Sequence, residues 1–188
     1  MIRINGWRVL REVFWYPFTI IGREMTFLRE TSRRLDAEHR ENLDLFGRVE
    51  EAFARAPQGR VAADPGLARL AGALARQIEQ EIGRHFDFEE RELFPRLDAA
   101  GEGDIAGLLA EEHAAIREVA AELLPRARSA AAGTLDAAGW QALQRGVLEF
   151  VERMVSHIQK ETMALLPMLD DLLDEETDRE LAFAYAAG

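Results

Sequence analysis

Apolar residues recur at helical spacing along most of the chain, and four long stretches carry the pattern. The first is expected to begin near Pro17 and to run to about Ala56, with the stripe Leu28, Leu35, His39, Phe46, Val49 and Phe53. Pro57-Gln58-Gly59 breaks it. The second opens at Asp64-Pro65, a capping residue followed by a residue suited to the first turn. Its stripe is Leu67, Ala71, Leu74, Ile78, Ile82, His85, Glu89, Leu93 and Leu97, and Gly101-Glu102-Gly103 ends it. Asp104 is the expected cap of the third, with stripe Ile105, Leu109, His113, Ile116, Ala120 and Leu123. Pro125 is expected to end or kink that helix, and Ser129 to Gly133 to form a small-residue loop. Thr134 or Asp136 caps the fourth, with stripe Leu143, Val147, Phe150, Met154, His157, Glu161, Leu165 and Met168, which fades in the acidic run Asp170 to Glu176. No alternating stretch of useful strand length interrupts the series. The pattern predicts an all-α protein, an antiparallel four-helix bundle over residues 18–176. A short aromatic arm (1–17) precedes it and a short C-terminal tail (177–188) follows.

The polar members of these stripes matter most. All four histidines of the chain, His39, His85, His113 and His157, fall on apolar faces, together with Glu89 and Glu161. His85 and Glu89, and likewise His157 and Glu161, are four residues apart, so they lie about 40° apart around a helix and one turn apart along it. Both pairs sit in the same pattern, H-x3-E-x3-L-x-P, ending at Pro95 and Pro167. Each is preceded one helix earlier by a lone histidine after an acidic residue, Glu38-His39 and Glu112-His113. His39 precedes His113 by 74 positions and His85 precedes His157 by 72, as a pair of related helical hairpins would require. A single core histidine is ordinarily bonded to a neighbouring carbonyl. Six polar groups in one apolar interior carry a large desolvation cost, and metal ions convert that cost into folding free energy.

Four imidazoles and two carboxylates form a mixed nitrogen–oxygen set that iron, manganese and zinc all accept, whereas calcium and magnesium want more oxygen. Six protein ligands are too many for one tetrahedral zinc, so a two-metal centre follows. If both glutamates bridge two six-coordinate ions, positions remain for a small ligand such as dioxygen, peroxide or nitric oxide. Glu38, Glu90, Glu111 and Glu112 are expected on the solvent face, with one or two of them supporting ligand imidazoles. Met154 and Met163 read as core filler.

Composition narrows the alternatives. The formal charge is −11, which repels phosphate backbones and argues against nucleic acid. There is no cysteine, which excludes disulfides, thiolate-held iron–sulfur clusters and thiol catalysis. The most apolar stretch, Val13 to Ile21, is short and broken by Pro17, so it fits neither a membrane span nor a leader, and a cytoplasmic location is expected. Trp7, Val9, Leu10, Val13, Phe14, Trp15 and Tyr16 crowd the arm. It reads first as a segment packed across the bundle, and second as an anchor for a membrane surface, a second copy of the chain or another partner.

The order His39, His85-x3-Glu89, His113, His157-x3-Glu161 resembles the hemerythrin-like, or HHE cation-binding, family, over roughly residues 25–175. The resemblance implies a four-helix bundle around a non-haem di-iron centre, two irons bridged by oxo or hydroxo, able to bind oxygen. The chain differs from the oxygen-carrying members in two places. Arg117 stands where those have a second histidine on the third helix, and Glu161 follows its histidine at four residues, where those have an Asp at five. The lost imidazole favours redox chemistry, so a di-iron peroxidase, catalase-like or oxidase activity stands beside oxygen or gas binding. A metal- or oxygen-responsive interaction module is the third reading. The Glu-x-x-His motif of ferritin-like bundles is absent, since Asp36, Ile82, Ala110 and Met154 precede the histidines by three.

Overall fold

The computed structural model describes residues 26–56 and 64–187. The aromatic arm, Pro17 and the breaker Pro57-Gln58-Gly59 lie outside these residues. The described residues form five helices. Helix α1 spans Glu30–Arg55. Helix α2 runs from Pro65 to Ala99, with wide π turns at Glu81–His85 and Glu89–Leu93. Helix α3 spans Gly103–Ala131. Helix α4 runs from Ala137 to Leu172, with one wide turn at Glu161–Leu165. Helix α5 spans Glu175–Ala187.

Helices α1 to α4 form a ring in which each packs on two neighbours. Their partners step in opposite directions along the chain, so adjacent helices are antiparallel. His113 meets His157 while Leu123 lies against Gly146, and Ser32 reaches Leu166 while Phe46 meets Phe150. Two apolar clusters fill the interior. One centres on Phe46, Phe53, Leu74, Ile116 and Phe150. The other centres on Leu35, Leu93, Leu97, Leu109, Leu165 and Leu169. The stripes predicted from spacing supply nearly all of these residues. No helix among the described residues is long and apolar enough to cross a membrane.

Several local expectations change. Leu28 precedes α1 and is 77% exposed. The backbone there is held from elsewhere: Asp170 accepts from the N–H groups of Leu28 and Arg29, and Asp178 from those of Glu30 and Thr31. Carboxylates from α4 and α5 therefore cap α1 in place of a residue of its own. Asp64 caps α2, accepting from Gly66 and Leu67, and Asp136 caps α4, accepting from Gly139. Asp104 is not a cap but lies inside the first turn of α3. The preceding turn is closed by Gly101 at φ +90°, a conformation that favours glycine. Helix α3 continues through Pro125 to Ala131. Pro125 and Ala121, whose carbonyl loses its partner, both face solvent, while Ala127 and Ala130 are buried and keep the last turns docked. The stretch 177–188, expected as a tail, is helical as far as Ala187, with Leu181, Ala182 and Tyr185 buried.

Candidate metal centre

The six predicted side chains converge between the two apolar clusters, and each is at most 1% exposed. Helix α1 contributes His39, α2 His85 and Glu89, α3 His113, and α4 His157 and Glu161. Their donor atoms form two groups within which all lie inside 4.8 Å of one another: His39, His85, Glu89 and Glu161, and Glu89, His113, His157 and Glu161. The two glutamates belong to both groups.

The wide turns account for how the glutamates reach this layer. In each, an N–H skips one residue further back than in an α-helix: Phe94 donates to Glu89 and Leu166 to Glu161. The next residues are Pro95 and Pro167. Proline cannot donate, and its ring collides with the carbonyl four residues earlier. Widening the preceding turn relieves that collision, and it starts at the glutamate in both halves. The L-x-P ending of the repeated motif thus suits a bulge that starts at each carboxylate, although the turn at Glu81–His85 widens with no proline after it.

The donor atoms are close but poorly satisfied. His157 Nε2 lies 2.9 Å from a Glu161 oxygen, His39 Nε2 3.1 Å from the other, and His85 Nε2 3.2 Å from a Glu89 oxygen. His113 Nε2 is 3.4 Å from Glu89 and 3.0 Å from His157 Nε2. Yet among the described residues, Nε2 of His39 and of His85 and all four oxygens of Glu89 and Glu161 lack a hydrogen-bond partner of proper geometry. The short distances reflect atoms aimed at common points, not at each other. Donors on neighbouring positions of one first-row ion, each about 2.1 Å from it, sit about 3 Å apart. The residues present therefore fit a metal centre, and they could hold one.

The opposite edge of every imidazole is braced. His85 Nδ1 faces Glu38 at 3.2 Å, Tyr185 at 3.0 Å and Glu81 at 3.4 Å. His113 Nδ1 faces Glu90 at 2.8 Å, His157 Nδ1 faces Glu112 at 3.1 Å, and His39 Nδ1 faces Thr162 at 3.2 Å. An acceptor at Nδ1 places the proton there and leaves Nε2 with its lone pair for a cation. Cations on the rim secure three of these carboxylates: Arg84 on Glu38, Arg117 on Glu90 and Lys160 on Glu112. Arg117 thus serves the site from outside.

The buried carboxylates also favour positive charge in this layer, whether a proton or a cation supplies it. Burial lowers the proton affinity of His85, but Glu89 and Glu81 outweigh it and raise it well above the ordinary imidazole value. Burial likewise opposes, and Glu161 and Glu112 overcome, a rise of His157 to about 10. His113 is raised too, by Glu161 and Glu89 against burial. Burial raises Glu161, yet His157, His113 and His39 hold it well below the carboxylate range. Glu89 is also held low, by His85 and His113 against burial and the charge of Glu161. Among the outer groups, His85 and Tyr185 overcome burial and lower Glu38 to about 2.

The sequence reading placed Glu38, Glu90 and Glu112 on the solvent face with a supporting role for one or two; all three touch imidazoles while remaining partly exposed. Glu81 and Asn42 went unnoticed, although both are buried and hydrogen-bonded at 2.6 Å. Their spacing, four before His85 and three after His39, could have found them. Tyr185 carries no such signal, since no periodicity links it to the motifs.

The chain belongs to the hemerythrin HHE cation-binding domain family, which it matches over residues 30–169. No curated protein matches it.

Proposed function

We propose that the chain holds two metal ions, iron in the first instance, and uses them to bind dioxygen or a related small oxidant or gas such as peroxide or nitric oxide. His39 and His85 serve one ion, His113 and His157 the other, and Glu89 and Glu161 are shared. The observation that carries the reading is the pair of overlapping four-residue donor groups with their unpartnered inward atoms. Manganese and zinc suit the same donors, and the family assignment favours iron.

A pair of redox-active irons, when bound, supplies an open coordination position and electrons for a small oxidant. The protein's residues do the rest. Glu38, Glu90, Glu112 and Thr162 fix the imidazole rings, with the proton kept at Nδ1. Phe86, stacked on His113 at 3.7 Å between ring centres, and Phe94 at 5.4 Å keep water from that imidazole. The two apolar clusters close the layer above and below. No residue in the layer is assigned as general acid or base.

Reconstitution with ferrous iron without oxygen, followed by removal of excess metal and elemental analysis, tests the reading. Two irons per chain are expected, with an optical change on adding dioxygen, peroxide or nitric oxide. Iron uptake well below one per chain, or unchanged in a variant with Glu89→Ala, contradicts it. Sustained peroxide consumption by the loaded protein would move the assignment from binding to catalysis.

A further inference from the structure

We infer that Tyr185, on the C-terminal helix, is a positioning residue for His85, so that one of the two metal positions depends on α5 and the other does not. This rests on the two-metal reading above. Helix α5 lies beyond the stretch that matches the family, residues 30–169. Its first turn is acidic, which suits a helix N-terminus, and Asp174 accepts from the Thr177 N–H at 2.8 Å. Asp178 then ties it to the start of α1, and Leu181 and Ala182 bury its inner face.

That docking carries Tyr185, 4% exposed, to the outer edge of His85. The phenol oxygen lies 3.0 Å from His85 Nδ1, and its O–H donates to the Glu38 carboxylate. The ring is held by Phe88, 4.5 Å away between ring centres, and by the Arg84 guanidinium 4.7 Å from its centre. His85 has one N–H at Nδ1 once Nε2 faces inward. The phenol can accept that hydrogen while donating its own, so it links His85 to Glu38 and fixes the tilt of the imidazole. On the other half, His157 faces Glu112 alone, and among the described residues no phenol stands beside that pair. Loss of the Tyr185 hydroxyl should therefore loosen only the position built from His39 and His85.

The test is Tyr185→Phe in the full chain, which removes the hydroxyl and keeps the ring. Wild type and variant are loaded with ferrous iron without oxygen and challenged with a chelator. Supporting partners of this kind are worth about ten- to hundredfold in metal affinity. The variant should therefore release one iron about ten- to hundredfold faster and the other at the wild-type rate, with the melting temperature of the metal-free protein unchanged. Glu38→Gln should accelerate the same single iron. A merely structural role would accelerate both irons and lower the melting temperature of the metal-free protein, and that result overturns the inference. So does release of both irons at wild-type rates from Tyr185→Phe. Two irons in the wild type with an indifferent variant refutes this inference alone, whereas a wild type that takes up no iron overturns the two-metal reading and this inference with it.

Discussion

The two halves of the centre present the same inward donors and different outer support. In each, an acidic residue just before a lone histidine crosses to the neighbouring helix: Glu38 to His85 and Glu112 to His157. In each, the residue after the shared glutamate crosses to the other half, but here the match breaks, since Glu90 meets His113 while Thr162 meets His39. A phenol covers Glu38, whereas Glu112 borders a cleft of about 460 Å³ with Ser156 and Arg153. Inward-facing donors are fixed by what an ion requires. The outer partners are free to differ, and they are where affinity and access at two like positions can separate.

The largest effect should come from the groups the halves share. Glu161→Ala removes a carboxylate common to both donor groups, so iron content should fall from two per chain to near none. His39→Ala should remove only the ion of its own half. Elemental analysis after dialysis reads both. One full iron retained by Glu161→Ala would mean that the halves do not share that carboxylate.

Next in size is pH, where metal-free and loaded protein should diverge. His85, His113 and His157 are raised in the folded chain, so the stabilisation they give the metal-free protein is complete below about pH 6.5 and is lost as pH climbs, with His157 titrating near 10. Glu89 and Glu161 are lowered, so their contribution is present above the ordinary carboxylate range, near pH 4.5, and fades as pH falls below it. The melting temperature of metal-free protein should therefore peak between these limits and decline from pH 7 to 9.5. Metal competes with the same protons, so the extra melting temperature conferred by iron or zinc should grow over that interval. Parallel curves with and without metal would show that the inward groups are not the ones that bind.

The sequence made the inward half of this comparison legible and left the outer half largely hidden, for a physical reason. A metal-holding group must lie on a buried stripe, and the polar members of the stripes are His39, His85, Glu89, His113, His157 and Glu161, which the structure brings together. Their supports sit at helix edges, half-exposed, where spacing does not distinguish Glu112 from its neighbour Glu111. Tyr185 depends on how α5 docks, which is a tertiary matter. The motif prolines were visible, but the widened turn at each shared glutamate emerges only once the backbone is seen. Pro125 misled because a proline on an exposed helix face frees a carbonyl that already looks toward water, so the helix need not end there.

Exchange of the unequal supports sharpens the comparison at a smaller scale. Glu90→Gln keeps the shape but removes the charge that braces His113, and should speed release of the iron held by His113 and His157 by about tenfold or more. Thr162→Val removes only a neutral partner of His39, and should change release from the first half by a lesser factor. Chelator-driven release of iron, followed optically, separates the two phases. Equal effects of the two variants would mean that the charge on Glu90 is immaterial.

The smallest effects should come from the cations that hold the outer carboxylates. Lys160 and Arg84 are both about one-third exposed and pair with Glu112 and Glu38 at 2.6 and 2.5 Å. Pairs this accessible are screened by solvent and contribute about 0.2–1 kcal/mol, roughly a factor of one and a half to five. Lys160→Met should shift only the phase assigned to His113 and His157, by no more than that factor, and salt should narrow the difference from wild type. Arg84→Met has a second route, because its guanidinium also covers the Tyr185 ring. It should therefore shift the other phase by more than Lys160→Met shifts its own, and part of this excess should persist in high salt, since a close, partly buried contact with the ring is screened less than an open ion pair. If the two variants behave alike at every salt concentration, the contact of Arg84 with the Tyr185 ring adds nothing to the first half, and Arg84 acts there only as Lys160 acts in the second.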